Sequence, residues 1–135
     1  PPPPPSVALA EHLQFIASLP AEYITEFGKA ALALLQQQAQ GKMFANAAKQ
    51  LGVERKAVEE GVQALCYVLL RASSHGTPAE QLLDGVELEL QPDALAALHA
   101  FYEEAAPSLA QIQSRGPALP SYHSLEWRLQ VQIAG

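Results

Sequence analysis

The sequence is poor in the features that mark disulfide-stapled or nucleic-acid-binding proteins. It contains a single cysteine, Cys66, which has no second cysteine with which to form an internal disulfide. Lys and Arg together number 8 against 14 Asp and Glu, so the net charge at pH 7 is −6. Because this acidic balance repels a phosphate backbone, we expect no nucleic-acid partner. The lone cysteine in an apolar run fits a reducing compartment.

Long hydrophobic runs are also absent. Gly, Gln, Lys or Glu interrupts each apolar stretch before it reaches the roughly 18 residues that a membrane-spanning helix needs. The first residues lack the basic region of a secretory signal peptide. We therefore expect a cytoplasmic protein with no direct membrane insertion.

Residue groupings typical of catalysis or metal binding are missing as well. Adjacent carboxylates occur at 59–60 and 103–104, but helix neighbours diverge by about 100°, so we interpret them as solvated faces. Glycines occur singly, without a phosphate-binding loop. The four histidines are isolated and lack metal-ligand spacing: His12, His75, His99 and His123. Cys66 has no basic neighbour that would activate its thiol. The sequence thus predicts no enzyme, no cofactor and no metal.

What the sequence does contain is helical periodicity. With 135 residues and 49% hydrophobic content, it has the size and composition of one globular domain. Five prolines form an N-terminal tail at 1–5, and apolar residues then recur at three- and four-residue spacing. We predict an all-α bundle of about six helices over residues 6–115. The predicted core residues are Leu9, Leu13, Ile16, Ile24, Phe27, Ala31, Leu34, Leu35, Phe44, Ala47, Ala48, Leu51, Val58, Val62, Leu65, Leu69, Leu70, Leu95, Leu98, Phe101, Tyr102, Leu109 and Ile112.

Capping and breaking residues predict the ends of the first helices. Ser6 is expected to cap the first helix, and Pro20 to occupy the first turn of the second. Gly41 is expected to stop the second helix and Gly52 the third. The fourth helix should end at the breaker 73–76.

Further along the chain, proline provides the main boundary signals. Thr77, followed by Pro78 and Glu80, resembles a capping box and predicts a short helix through Leu83. A last helix is predicted to open at 91–93. Pro107 lies inside its apolar pattern and should kink or split that helix near Ala106.

One local pattern favours an alternative function. Ala48, Gly52 and Val58 have the spacing of a helix-turn-helix, so residues 45–64 could form a DNA-binding regulator. The second helix, however, would present a net negative surface, which opposes DNA binding: Glu54, Arg55, Lys56, Glu59 and Glu60. We therefore prefer a structural helical corner.

The pattern changes after a proline-bounded linker at 116–124. Residues 125–133 alternate strictly between apolar and polar, which predicts a β-strand at 125–135. A single strand leaves its backbone groups unpaired and its apolar row exposed, so we expect it to pair with a partner's sheet. The predicted partner-binding residues are Leu125, Trp127, Leu129, Val131 and Ile133. The alternative is that Trp127 packs in the core of its own domain.

Three segments carry a resemblance to a known family. They are EFGKAALALL at 26–35, AAKQLGVERKAVEEGVQALCYVLL at 47–70, and LPSYHSLEWRLQVQIA at 119–134. Together they resemble the COMM domain-containing family. The resemblance covers nearly all of the family's helical N-terminal domain but only the first strand of its COMM domain. It thus implies a truncated COMM domain at 125–135, without the family's main dimerisation surface.

This resemblance implies a non-enzymatic scaffold or adaptor subunit. Family members form hetero-oligomers with other COMM domain proteins and are held by coiled-coil scaffold proteins. The resulting Commander assembly recycles membrane cargo from endosomes, and the family is also linked to NF-κB control and copper handling. For this chain the resemblance implies a cytoplasmic, endosome-associated protein that assembles with such partners.

Overall fold

The computed structural model describes residues 5–36, 38, 41–83, 88 and 90–114. These residues form five α-helices and one 3₁₀ helix, and no strand occurs among them: α1 (Pro5–Ala17), α2 (Ala21–Leu35), α3 (Gly41–Leu51), α4 (Arg55–Ser74), a 3₁₀ helix (Ala79–Gln81) and α5 (Pro92–Ser114). The predicted all-α class is therefore confirmed.

The central element is α4, which packs against each of the other four α-helices. Its residues 61–66 and 68–70 are all buried. A helix that is buried on every side is stable only when neighbouring helices surround it. The remaining helices accordingly enclose α4 and form one apolar core with it.

The predicted core agrees closely with the observed one. Most of the predicted residues are less than 9% exposed, and five are only partly buried: Leu35, Ala47, Leu51, Leu95 and Ile112. These five lie at the edges of their helical stripes, where packing is less complete. Helical periodicity thus identified the apolar faces, although it overstated their width.

Two glycine boundaries were predicted correctly. Gly52 follows the end of α3 with φ +70°, and Gly76 follows the end of α4 with φ +62°. Residues with a Cβ rarely adopt these left-handed angles, so glycine is favoured at both turns. Pro92 is the first residue of α5, a position at which its missing N–H costs no helical hydrogen bond.

Three other boundaries were predicted wrongly. Ser6 lies inside α1 instead of capping it, because the helix already begins at Pro5. Pro20 is the N-cap of α2 and not part of its first turn, and its carbonyl accepts the Tyr23 amide at 2.9 Å. Gly41 does not stop α2. That helix ends at Leu35, and Gly41 is the first residue of α3.

The proline-rich second half also differs from the prediction in two places. Thr77 makes no capping box, because Pro78 is the N-cap of a single 3₁₀ turn and no side chain caps it. Pro107 does not split α5, which continues through it to Ser114. A proline removes only one backbone hydrogen bond, and apolar burial on both sides of it holds the helix together: Ala105 and Leu109 are buried.

Candidate functional site

The predicted partner-binding row lies outside the described residues. Leu125, Trp127, Leu129, Val131 and Ile133 all follow Ser114, the last residue of α5. The linker at 116–124 is likewise outside, and so are residues 1–4 of the predicted proline tail at 1–5. The tail prediction was wrong at Pro5, which is the first residue of α1. The strand and the interface proposed for it therefore stay predictions.

The segment with helix-turn-helix spacing forms two helices joined by a glycine turn. α3 and α4 pack against each other around Ala48 and Val58, which are 5% and 1% exposed. Gly52 supplies the left-handed turn between them, and the Val53 amide donates back to the Ala48 carbonyl at 3.0 Å. The helix–turn–helix corner that this spacing predicted is therefore present.

The second helix of this corner is poorly suited to DNA. A recognition helix lies in the major groove and presents an exposed face to the bases. Here that helix is α4, and from Gly61 to Cys66 it is buried among the other helices. The geometry therefore favours a structural corner.

The carboxylates at the start of α4 are engaged within the fold. Arg55 Nε donates to Glu59 Oε1 at 2.8 Å, and His12 Nε2 lies 3.2 Å from Glu60 Oε2. The side chains of Glu59 and Glu60 are only 20% and 25% exposed. The interpretation of this pair as a solvated face was therefore wrong, because α1 brings His12 against Glu60. Glu103 and Glu104 are exposed, as predicted.

A groove opens between α2 and α3. Its volume is about 470 Å³, and its floor includes Phe27 and Phe44 together with Val58 and Val62 of α4. Met43 lies on its α3 wall and is 38% exposed. Among the described residues, it is the one large hydrophobic side chain that is exposed. The other wall and rim residues are Tyr23, Glu26, Ala30, Asn46, Ala47, Gln50 and Leu51. Sequence periodicity did not reveal this groove, because the spacing between two helices is a tertiary property.

Two titratable side chains are held neutral by burial. Desolvation raises the pKa of the Cys66 thiol far above its ordinary value of 9.0, and a backbone hydrogen bond offsets this only in part. Its Sγ lies 3.4 Å from the Ala31 carbonyl, to which the thiol donates. Burial also raises the pKa of Tyr102, whose hydroxyl donates to the Thr77 carbonyl at 2.7 Å. A neutral buried thiol is a poor nucleophile.

The described residues form neither a cluster of metal ligands nor a membrane-spanning helix. Among the described residues, no three His, Cys, Asp or Glu side chains are grouped so that they could hold a metal ion. None of the described helices combines the length and apolar content required to cross a membrane.

Comparison with known proteins identifies three similar proteins. No protein-family model matches the chain. COMM domain-containing protein 2 of Pongo abelii is 34% identical to it over 126 residues, and so is its Homo sapiens counterpart. The Mus musculus protein of the same name is 32% identical over the same length. The chain is a relative of the COMM domain-containing proteins.

The match to these COMM domain-containing proteins covers most of this chain but only part of each relative. It includes 92% of this chain but 63% of each relative, so the chain spans less than two thirds of their length. Because 92% of the chain is matched, the similarity includes nearly all of the helical bundle. The segments 26–35 and 47–70, which suggested this family, lie in α2, α3 and α4, and their resemblance is thereby confirmed.

One buried polar side chain of α4 was not predicted from the sequence. Gln63 is completely buried in α4, and neither its Nε2 nor its Oε1 has a hydrogen-bond partner. The sequence carried a weak signal, since Gln63 is a polar residue between Val62 and Ala64 in an otherwise apolar run. Periodicity alone did not show that α4 is buried on this side too.

Proposed function

We propose that this chain is a non-enzymatic scaffold or adaptor subunit that assembles with other COMM domain proteins. The observation that carries the proposal is the identity of 32–34% to COMM domain-containing protein 2 over 92% of the chain. The described bundle supports it, because its apolar residues form one continuous core around α4. Such a bundle can serve as a rigid base for a neighbouring interaction segment.

The interaction segment in this proposal is the predicted strand at 125–135. Its backbone amides and carbonyls would pair with an edge strand of a partner's sheet and set the register. One face would bury five apolar side chains in the partner: Leu125, Trp127, Leu129, Val131 and Ile133. Trp127 is the largest of these, and buried tryptophans often contribute most of the affinity of an interface.

The assembly that we propose is the Commander complex. In it, this chain would join a hetero-oligomer of COMM domain proteins held by coiled-coil scaffold proteins. Its role would be the recycling of membrane cargo from endosomes, with a cytoplasmic location on the endosomal surface and an influence on NF-κB signalling. The family resemblance supports these finer assignments.

A substitution in the strand tests the proposed interface. Trp127→Ala in the full chain should reduce the COMM domain proteins recovered in a quantitative pull-down by at least about tenfold, as expected for a central aromatic residue. The matched control is Arg128→Ala, on the opposite face of the predicted strand, which should retain recovery. Circular dichroism should show the same helical content for both variants.

Two outcomes would contradict this interface. If Trp127→Ala recovers the same COMM domain proteins at the same yield as the unmodified chain, the strand does not carry the interaction. If both variants lose their partners equally, the loss does not depend on the apolar face.

A further inference from the structure

Thr77 is the one Ser or Thr residue in the sequence that is followed directly by proline. A threonine followed by proline is the minimal substrate motif of proline-directed protein kinases, which can recognise the ring by apolar contact because it carries no N–H. Pro78 is exposed and extended, with φ −67° and ψ 156°, and residues 74–76 are exposed as well. The motif therefore lies on an accessible turn between α4 and the 3₁₀ helix.

The backbone of Thr77 is fixed, whereas its hydroxyl is available for modification. The Thr77 amide donates to the Ala72 carbonyl at 2.9 Å, and its carbonyl accepts a hydrogen bond from the Tyr102 hydroxyl at 2.7 Å. These two bonds hold the residue at the end of α4 and against α5. No hydrogen bond joins the Thr77 hydroxyl to any other described residue. A phosphate on this oxygen would thus break no hydrogen bond within the described part of the chain.

Thr77 lines a surface pocket of about 240 Å³ at the end of α4. Its apolar lining consists of Ala72 and Leu82, both of which are buried. The other polar lining residues are Arg71, His75 and Gln81. No Asp or Glu of the described residues lines this pocket. The pocket therefore offers hydrogen-bond donors and a positive charge, and it has room for the phosphorus and three oxygens that phosphorylation adds.

Arg71 is the group that can receive such a phosphate. Its guanidinium carbon lies 5.5 Å from the centre of the Tyr67 ring, and none of the described carboxylates forms an ion pair with it. A guanidinium binds phosphate well because it donates two parallel N–H bonds. The carbonyls at the end of α4 by themselves disfavour a negative charge, so the phosphate needs this cation beside it.

We propose that Thr77 is a phosphorylation site for a proline-directed protein kinase and that Arg71 binds the resulting phosphate. In the transfer, the bond between the γ-phosphorus of ATP and its bridging oxygen breaks, and a bond forms between that phosphorus and Thr77 Oγ1. The hydroxyl proton passes to a base of the kinase, and ADP leaves. The product carries up to about two more negative charges at this end of the bundle. This inference goes beyond the proposed function and depends neither on the predicted strand nor on the identity of an assembly partner.

The first test is treatment of the full 135-residue chain with ATP and a kinase. A mitogen-activated and a cyclin-dependent protein kinase represent the proline-directed class, and fragmentation mass spectrometry locates the phosphate. At least one of them should phosphorylate Thr77. Thr77→Ala should abolish this incorporation, Thr77→Ser should retain it, and Pro78→Ala should remove most of it.

The matched control for the kinase test is Thr25→Ala. It alters the other threonine of the chain, which is also partly buried but is followed by glutamate, and it should leave incorporation unchanged. Failure of both kinases to modify Thr77 would overturn the proposal. So would phosphate found only on another residue, such as Ser74.

The second test measures the contact between the phosphate and Arg71. Phosphorus NMR of the phosphorylated chain at a series of pH values gives the second pKa of the phosphate, which is ordinarily about 6. Arg71 should hold this pKa below that value, because a nearby cation favours the dianion. Arg71→Gln should raise the pKa, whereas Lys56→Gln, which removes an exposed cation near the start of α4, should leave it low. His75 is present in all three chains, so its own titration does not explain a difference between them. Equal pKa values in the parent chain and Arg71→Gln would overturn the assignment of Arg71 as the phosphate partner.

Discussion

The two sides of α2 are packed in opposite ways. Toward α5, Gly28 is buried so tightly that a Cβ placed there would come within 2.8 Å of the Phe101 ring. Toward α3, the same helix borders the groove of about 470 Å³, where Ala30 is only partly buried and Met43 is 38% exposed. Residues 28 and 30 are two positions apart and therefore face different neighbours.

This difference shows that one side of a helix can pack tightly in the core while the other side lines an open surface groove. On the closed side, the missing side chain of Gly28 allows α5 to approach, and tightly packed cores tolerate little added volume. On the open side, α2 and α3 both rest on α4, and the space between them is left unfilled. Closed-side substitutions should therefore change the free energy of unfolding, whereas substitutions at the exposed walls of the groove should leave it nearly unchanged.

The largest effect should come from adding volume on the closed side. Gly28→Val should lower the free energy of unfolding by about 3 kcal/mol, because its Cβ and methyl groups would collide with the Phe101 ring. The measurement is urea unfolding followed by circular dichroism at 222 nm, a wavelength that reports helix.

The matched control for this substitution is Ala30→Val on the groove side of the same helix. It should cost less than about 0.7 kcal/mol, the range of helix propensities, because its added methyl groups extend into open space. Equal losses in the two variants would mean that the two sides of α2 do not differ in packing.

The second effect depends on pH and involves the contact between α2 and α4. Burial raises the pKa of Cys66 in the folded state, so the folded protein keeps the thiol proton at pH values where the unfolded chain loses it. Stability from this group is fully present below its ordinary pKa of 9.0 and falls as the pH rises above it. Between about pH 9 and pH 10, the free energy of unfolding should approach a loss of about 1.4 kcal/mol per pH unit.

Cys66→Ala provides the comparison for the alkaline loss. The variant lowers stability at every pH by removing the buried sulfur, but its pH dependence between 9 and 10 should be flatter. Unfolding free energies at closely spaced pH values measure that slope. Parallel curves for the unmodified chain and Cys66→Ala would show that the loss has another origin. Tyr102, whose pKa is also raised by burial, contributes at higher pH.

The difference between the two sides of α2 also explains which features could be predicted from the sequence. Apolar spacing in α2 correctly placed Ile24, Phe27, Ala31 and Leu34 in the core, because periodicity reports which face of a helix is apolar. It does not report how far the next helix lies from that face. The close approach at Gly28 and the groove beside Ala30 were therefore both missed.

The same distinction applies to the turns, where predictions were correct when the cause is local and wrong when it is tertiary. Gly52 and Gly76 were predicted correctly because their left-handed backbone is a local requirement. Gly41 was assigned to the wrong helix, since a glycine between two helices can belong to either. The prediction that Glu60 is solvated was wrong because its partner, His12, comes from another helix and cannot be identified from local sequence.

The smallest effect should come from the groove itself. Met43→Ala removes an exposed side chain from the α3 wall and should change the free energy of unfolding by no more than about 0.5 kcal/mol. Its neighbour Phe44, which is 1% exposed at the floor of the groove, provides the contrast: Phe44→Ala leaves a cavity and should cost several times more. Urea unfolding of the two variants measures both. A loss of about 2 kcal/mol or more for Met43→Ala is typical of a buried methionine and would mean that the groove is closed in solution.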